Sequence, residues 1–351
     1  MQQKLINCQR TANPIYHEDP MHIKLLVAAL AAVASFSAVA AETPPGPIVI
    51  KFSHVVAMDT PKGQAAERFK ATAERLTKGR VRIEVYPNSS LYKDKEEMDA
   101  LQSGAVQMLA PSLAKFGPLG VKEFEVFDVP YMFPNKQALY KVIEGPIGLG
   151  LLQKLEPKGM LGLAYWDNGF KIMSANRPIH APADFKGLKM RIQSSKVLDS
   201  QMRALGTNPL PLAFSEVYQA MKTGVVDGSE NTPSNIYSQK VHEVQSHMTI
   251  TDHGYLGYVV IVNKKFWDGL PADLRTPIEL ALKDATMYEK AISQVDNDRS
   301  MDAIKKAGKT TIYTPTAAEA AAFRKAMLPV QQEMEGRLGK DFFQSIVKVA
   351  K

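Results

Sequence analysis

The sequence predicts an α/β fold with largely parallel sheets. Short β-branched runs alternate with stretches whose apolar residues recur at helical spacing. A short unit recurs about 120 residues further along, and one long helical pattern lies between Pro271 and Gly308.

Residues 48–54 read as a buried strand. Thr60 then stands at an N-cap and Pro61 at the first helical position. Ala65, Ala66, Phe69, Ala73 and Leu76 follow at helical spacing, and Gly79 closes the helix. Residues 81–86 make the next strand, residues 94–103 a helix, and Gly104 leads into a strand over 105–110. Ala100-Leu-Gln-Ser-Gly-Ala-Val106 matches Ala220-Met-Lys-Thr-Gly-Val-Val226. In each, a helix ends at a glycine able to turn left-handed and a strand begins at once. Either two lobes are built alike, or the match is common turn chemistry. Between Pro271 and Gly308 the only internal proline is Pro277, and Ile278, Leu282, Ala285, Tyr288 and Ile292 form an apolar stripe. One helix of some 30 residues, about 45 Å at roughly 1.5 Å per residue, would brace two lobes. Two shorter helices are the alternative.

Composition narrows the function. A chain of 351 residues has room for two domains, and 45% apolar with 23% charged residues is that of a globular protein. The formal charge is +7. Lys4, Arg10 and Lys24 against Glu18 and Asp19 put only +1 of it in residues 1–41. The remaining +6 is spread without a Lys/Arg run, which favours small acidic ligands weakly and nucleic acid hardly at all. The single cysteine, Cys8, allows no disulfide framework and no thiol metal site.

The N-terminus predicts export. Met21-His-Ile-Lys24 is a weakly basic start, residues 25–34 are unbroken and apolar, and Ala38-Val-Ala40 offers the small residues a signal peptidase needs. Residues 25–41 fall short of the roughly 20 needed to span a bilayer. Residues 1–20 precede a natural start at Met21, and Cys8 lies among them. The mature protein would be exported and free of cysteine.

In open α/β sheets ligands bind beyond the carboxyl ends of the strands. The polar residues there are His54, Ser112, Lys171, Arg191 and Asn231. Lys189, Arg191 and Gln193 share one face of their strand. Trp166, Phe214 and Tyr237 could wall a cleft, and Lys93 sits in a loop before a helix. Two cations, an imidazole and two neutral polar groups suit an organic anion with more than one carboxylate, which Arg191 would grip with both arms. Each residue also has a plainer reading as core, turn or solvated surface.

Enzyme patterns fail on spacing. His242 and His247 stand five apart, so a helix turns them about 140° from each other and they cannot clamp one metal. Gly148-Leu-Gly150 lacks the third glycine of a dinucleotide loop. Ser112-Leu-Ala-Lys115, Lys222-Thr-Gly224 and Ser229-Glu-Asn231 imitate penicillin-binding motifs, in the wrong order and on the wrong elements.

An ordered set of segments carries a resemblance. They are Phe52-Ser-His-Val, Tyr165-Trp-Asp-Asn-Gly-Phe-Lys171 with Ser174-Ala-Asn176, and Gly187-Leu-Lys-Met-Arg-Ile-Gln193. Ala213-Phe-Ser-Glu-Val-Tyr-Gln-Ala220, Gly224-Val-Val-Asp-Gly-Ser-Glu-Asn231 and Gly254-Tyr-Leu-Gly-Tyr258 complete it. From about residue 48 to about residue 313 the chain resembles the solute-binding proteins of TRAP transporters, in the DctP-type branch for C4-dicarboxylates. The resemblance implies a two-lobed, hinged periplasmic binding protein of the venus-flytrap type, with a long helix crossing both lobes. Lobe I would comprise residues 42–168 and about 255–296, and lobe II residues 169–254 and about 297–351. The family's carboxylate-binding Arg falls on Arg191, its strand-end Asn on Asn231 and its ligand-packing aromatic on Phe214. Many members carry a second Arg where this chain has Lys171. His54, Ser112 and Lys93 carry over by position alone. The partners implied are an organic anion and the membrane permease subunits, with no cofactor, metal or catalysis. A periplasmic enzyme on organic acids, or a ligand-presenting partner of a sensor, are the alternatives.

Overall fold

The computed structural model describes residues 46–351. The expected export signal and Cys8 lie outside the described residues. These residues form one nine-stranded sheet: β1 (Ile48–Ser53), β2 (Val81–Tyr86), β3 (Met108–Leu109), β4 (Met160–Ala175), β5 (Lys189–Ile192), β6 (Asn208–Pro211), β7 (Gly228–Asn231), β8 (His247–Asn263) and β9 (Thr311–Tyr313). The strand order is β2-β1-β3-β8-β4-β7-β5-β6, with β9 on the outer side of β8.

That order holds the same pattern twice. β2 and β3 flank β1 in parallel, and β3 meets β8 antiparallel. β6 and β7 flank β5 in parallel, and β7 meets β4 antiparallel. The repeated heptapeptides make the same turn in each half. Gly104 and Gly224 take φ of 81° and 72°, and the Val106 and Val226 amides each donate to the carbonyl six residues back, on Ala100 and Ala220. A side chain at either glycine would be strained, which is why this turn needs glycine.

β4 and β8 are the links. They run 16 and 17 residues, pair antiparallel with each other, and pass from one half of the sheet into the other. Their register shifts between Asp167 and Gly169 and again between Lys171 and Met173, at the crossing. Such irregularities bend a ribbon and raise its twist.

Helices cover both faces. Thr60 caps Pro61–Leu76 by accepting from the Gly63 amide, and Ala65, Ala66, Phe69 and Ala73 are buried as the spacing predicts. The predicted helix over 94–103 is shorter, Glu97–Gln102, and the strand after it is only Met108–Leu109. The long pattern resolves as one helix, Ala272–Ala307, of 36 residues. It is about 54 Å long at roughly 1.5 Å per residue. It packs on Pro61–Leu76 in one half and on Pro233–Ser238 in the other, with β4 between. Pro277 stands inside it without breaking it. The C-terminal helix Lys340–Ala350 packs on Lys136–Ile143 through Phe343, Ile346 and Ala350.

Packing is tight where β7 passes between β4 and β5. A Cβ on Gly228 would lie 2.2 Å from the Ser174 carbonyl oxygen and 3.0 Å from the Met190 sulfur. The first is backbone of a central strand and has nowhere to move. Gly228→Ala is therefore expected to cost about 1–3 kcal/mol in urea unfolding, as other overpacked cores do. Unchanged stability would show the strands spread to admit a methyl.

Candidate functional site

The carboxyl ends of the two parallel strand sets face each other across the crossing of β4 and β8. Between them lies a cavity of roughly 360 Å³ of atom-free space, part of it opening to solvent. Val55 and Val56 follow β1, and Ser112 follows β3. Arg191 and Gln193 come from β5 and its end, Asn231 from the end of β7, and Phe214 from the turn after β6. Ser112, Arg191 and Asn231 are among the positions the strand-end rule selects.

Arg191 is the centre of the site. β5 is flanked on both sides, so its alternate side chains must go into core or cavity, and Arg191 is 2% exposed. Its Nε and Nη2 both donate to the Leu212 carbonyl, at 3.1 and 2.8 Å. Among the described residues no carboxylate is bonded to it. Burial lowers its affinity for its proton, and Asp94, Glu230 and Glu216 offset part of that at longer range. A guanidinium remains charged under such a shift. Asn231 spends its Oδ1 on the Thr232 amide and on Asn235, which leaves its own NH₂ group for the cavity. Phe214 is buried, its backbone N–H donating to Asp94 at 3.1 Å.

Seven further residues complete the lining: Lys62, Asp94, Glu97, Lys115, Asn235, Leu256 and Tyr258. Lys62 enters from the first turn of Pro61–Leu76, donates to the Ala110 carbonyl at 3.0 Å and lies 3.6 Å over the Tyr258 ring. Burial pulls it down to about 8, against the upward pull of Glu97, Asp94 and Glu289. Lys115 holds Asp94 at 2.8 Å, both nearly fully buried. Burial would raise the Asp94 carboxyl, but the Lys115 ammonium, Arg191 and the Phe214 N–H hold it below the ordinary range. Glu97 lines the same wall. Tyr258 receives the Asn168 amide at 2.6 Å. Lys62, Lys115 and Arg191 against Asp94 and Glu97 leave the lining one positive charge in excess when all are ionised.

Contacts cross the cleft between the two strand sets. The Ser112 hydroxyl donates to Gln193, Lys93 pairs with Glu216 at 2.9 Å, and Lys95 donates to the Pro211 carbonyl at 3.2 Å. With the Asp94–Phe214 bond they hold the cavity nearly shut.

Of the residues singled out from sequence, Arg191, Asn231, Phe214 and Ser112 line the cavity. Five do not. β4 continues to Ala175, so Lys171 is no strand-end residue; it is 1% exposed and bonded to Glu230 at 2.7 Å. His253 takes the other Glu230 oxygen at 2.8 Å, so the three form one buried group. His54 is fully buried behind the wall, and burial plus the Lys62 charge lower it to about 3, leaving it a neutral ring. Trp166 is core, its Nε1 donating to Thr286 at 2.9 Å. Tyr237 is exposed and stacks on His242. Lys93 is a rim residue, paired with Glu216 in solvent.

Lys62, Glu97, Asn235 and Tyr258 went unselected. Tyr258 and Lys115 stood inside quoted motifs, as the last residue of Gly254–Tyr258 and of the Ser-x-x-Lys pattern. Lys62 was findable: it follows β1 by nine residues, one place after a proline at a helix start. Nothing in the sequence marks Glu97 among its acidic neighbours.

Fold and cavity define a binding protein, and comparison defines the family. Residues 52–337 match DctP, "Bacterial extracellular solute-binding protein, family 7". The chain belongs to that family and is a TRAP-type solute-binding protein with the family's two lobes. Among its relatives is the C4-dicarboxylate-binding periplasmic protein DctP of Rhodobacter capsulatus, 62% identical over 84% of this chain and 89% of that protein. A TRAP periplasmic solute-binding protein of Shewanella oneidensis, solved with bound succinate, superposes with a TM-score of 0.85 at 40% identity, over 87% of this chain and all of the other. One from Pseudomonas aeruginosa, solved with L-malate, gives 0.80 at 42%, over 82% of this chain and all of the other.

The Lys171–Glu230–His253 group ties stability to pH. Burial alone would raise the Glu230 carboxyl; Lys171, then His253, bring it down to about 2 from an ordinary 4.5. A carboxylate held low stabilises the fold above the unfolded value, and that contribution is lost as pH falls from 4.5 toward 2. Glu230→Gln is expected to lose about 3–5 kcal/mol at neutral pH, because it strands the Lys171 charge. Its urea midpoint should also fall less steeply than the parent's in that acid window. Equal slopes would show that Glu230 is not the group responsible.

Proposed function

We propose that this chain captures a C4-dicarboxylate, or a closely related organic acid, outside the cytoplasm and delivers it to a TRAP membrane permease. The observation that carries the reading is Arg191. It is a buried guanidinium whose only hydrogen-bond acceptor among the described residues is a backbone carbonyl, in a cavity with an excess positive charge. A carboxylate is the partner such a group lacks, and a second carboxylate would meet Lys62 or Lys115. The ligands named for the Shewanella and Pseudomonas relatives have that chemistry. Asn231 would supply an N–H donor and Phe214 an apolar wall.

Capture is a hinge motion. We take lobe I as residues 47–168 and 255–296 and lobe II as residues 169–254 and 297–339. The helix Lys340–Ala350 goes with lobe I, on whose helix Lys136–Ile143 it packs. The ligand shifts the equilibrium toward the closed form because only there do both strand sets reach it. It leaves chemically unaltered. Residues 21–41 would direct export, and the closed protein would present its rim to the permease.

Calorimetry with succinate, malate and fumarate tests this. Arg191→Ala should leave folding intact and weaken binding by about 2–5 kcal/mol, roughly thirty-fold to a few thousand-fold. Unchanged binding, or turnover of the ligand seen by NMR, would overturn the reading.

A further inference from the structure

Glu97 begins the helix Glu97–Gln102, is 1% exposed and lines the cavity. Its Oε2 is buried with no hydrogen-bond partner among the described residues. Asp94 differs, being held by Lys115 and by the Phe214 N–H. An ionised, partnerless carboxylate in a site for anions is unfavourable twice over. It is desolvated, and it repels the ligand. A site that keeps such a group must change its charge or give it a ligand donor to accept from.

The groups around Glu97 favour the first course. Lys62 faces it from the helix Pro61–Leu76, Lys115 from the turn after β3, and Asp94 from the preceding loop. Arg191 and Tyr258 line the remaining walls, and His54 behind Lys62 is neutral. Burial pushes Glu97 up to about 7; Lys62 and Lys115 resist, and Asp94 adds to the rise. Negative charge entering the cavity raises it further.

We propose that Glu97 is a selectivity residue of this site: when a dicarboxylate binds, Glu97 takes one proton from solvent and donates the resulting O–H to a ligand carboxylate oxygen. The proposal rests on the dicarboxylate reading above. The solvent proton adds to one Glu97 oxygen, the new hydrogen bond replaces a repulsion, and no bond of the ligand is broken. The protonated acid favours a ligand that presents bare carboxylate oxygens. An ionised Glu97 would instead favour a ligand hydroxyl or ammonium.

Infrared difference spectroscopy at pH 8, with ¹³C-labelled protein and unlabelled succinate, tests it directly. The parent protein should gain a protonated-carboxyl C=O band at the ¹³C-shifted position when succinate binds. Titration calorimetry at that pH, in two buffers of different ionisation enthalpy, should show net proton uptake. Glu97→Gln should lose the band and still bind succinate within about tenfold, because the amide can donate in place of the acid. If that variant does not fold, Glu97→Asp should move the band to a new position. A succinate complex with no such band, or a band that persists unchanged in the variants, overturns the assignment. A parent protein that binds no dicarboxylate at all overturns the functional reading, and this inference with it.

Discussion

The structure turns on a positive charge buried with no hydrogen-bonded counter-ion among the described residues. Removing a guanidinium from water is costly unless its donors are met, and among the described residues Arg191 meets only one carbonyl. Direct pairing with a protein carboxylate would relieve that cost and also remove the site's hold on an anion. Asp94 is close enough to act on Arg191 electrostatically, but its oxygens are bonded to Lys115 and the Phe214 N–H. The arrangement keeps the guanidinium available while tempering its field.

Most of the contacts that shut the cleft are individually weak, the buried Asp94–Phe214 N–H bond apart. Lys93–Glu216 is an exposed pair, of a kind worth roughly 0–1 kcal/mol, and the Ser112–Gln193 bond joins neutral groups. A cleft held in this way opens readily, and a ligand contacting both strand sets can decide its state. The junction of the two halves is bonded from behind. Asp167, at the middle of three register shifts of β4, receives Lys136 at 2.7 Å, Ser293 at 2.6 Å and Tyr140 at 3.0 Å. The Asp167 amide donates to Glu289, and Asn297 donates to the Asn168 carbonyl. The long helix is thereby bonded to β4 where the halves join, which under the proposed hinge motion would confine bending to a few residues of β4 and β8.

Much of this was legible in the sequence because it depends on local rules. Strand ends are visible as the edges of β-branched runs, and from them Arg191, Asn231 and Ser112 follow, whereas Phe214 rests on the family resemblance. The repeated turn is visible because both copies need a left-handed glycine. Lys171 was misplaced because β4 outruns its apolar stretch: its second part is lined with buried polar residues that pair across the sheet, and hydropathy does not show pairing. Trp166 and Tyr237 show that an aromatic near a cleft carries no direction by itself. Lys62 and Glu97 come from first turns of helices that follow the strands. Their place in the cavity depends on how each helix docks, which is set by tertiary packing.

The claim that ligand charge on Arg191 closes the two lobes is tested most directly by one distance. Spin labels at Ala71→Cys and Ala204→Cys, both exposed and in opposite halves, report it in a chain expressed from residue 42 onward, which contains no other cysteine. Succinate should shift the interspin distance distribution to a single, different and narrower population, and the same pair carrying Arg191→Ala should not respond at that concentration. A distribution that ignores succinate in the parent, or shifts equally in the variant, would contradict the account.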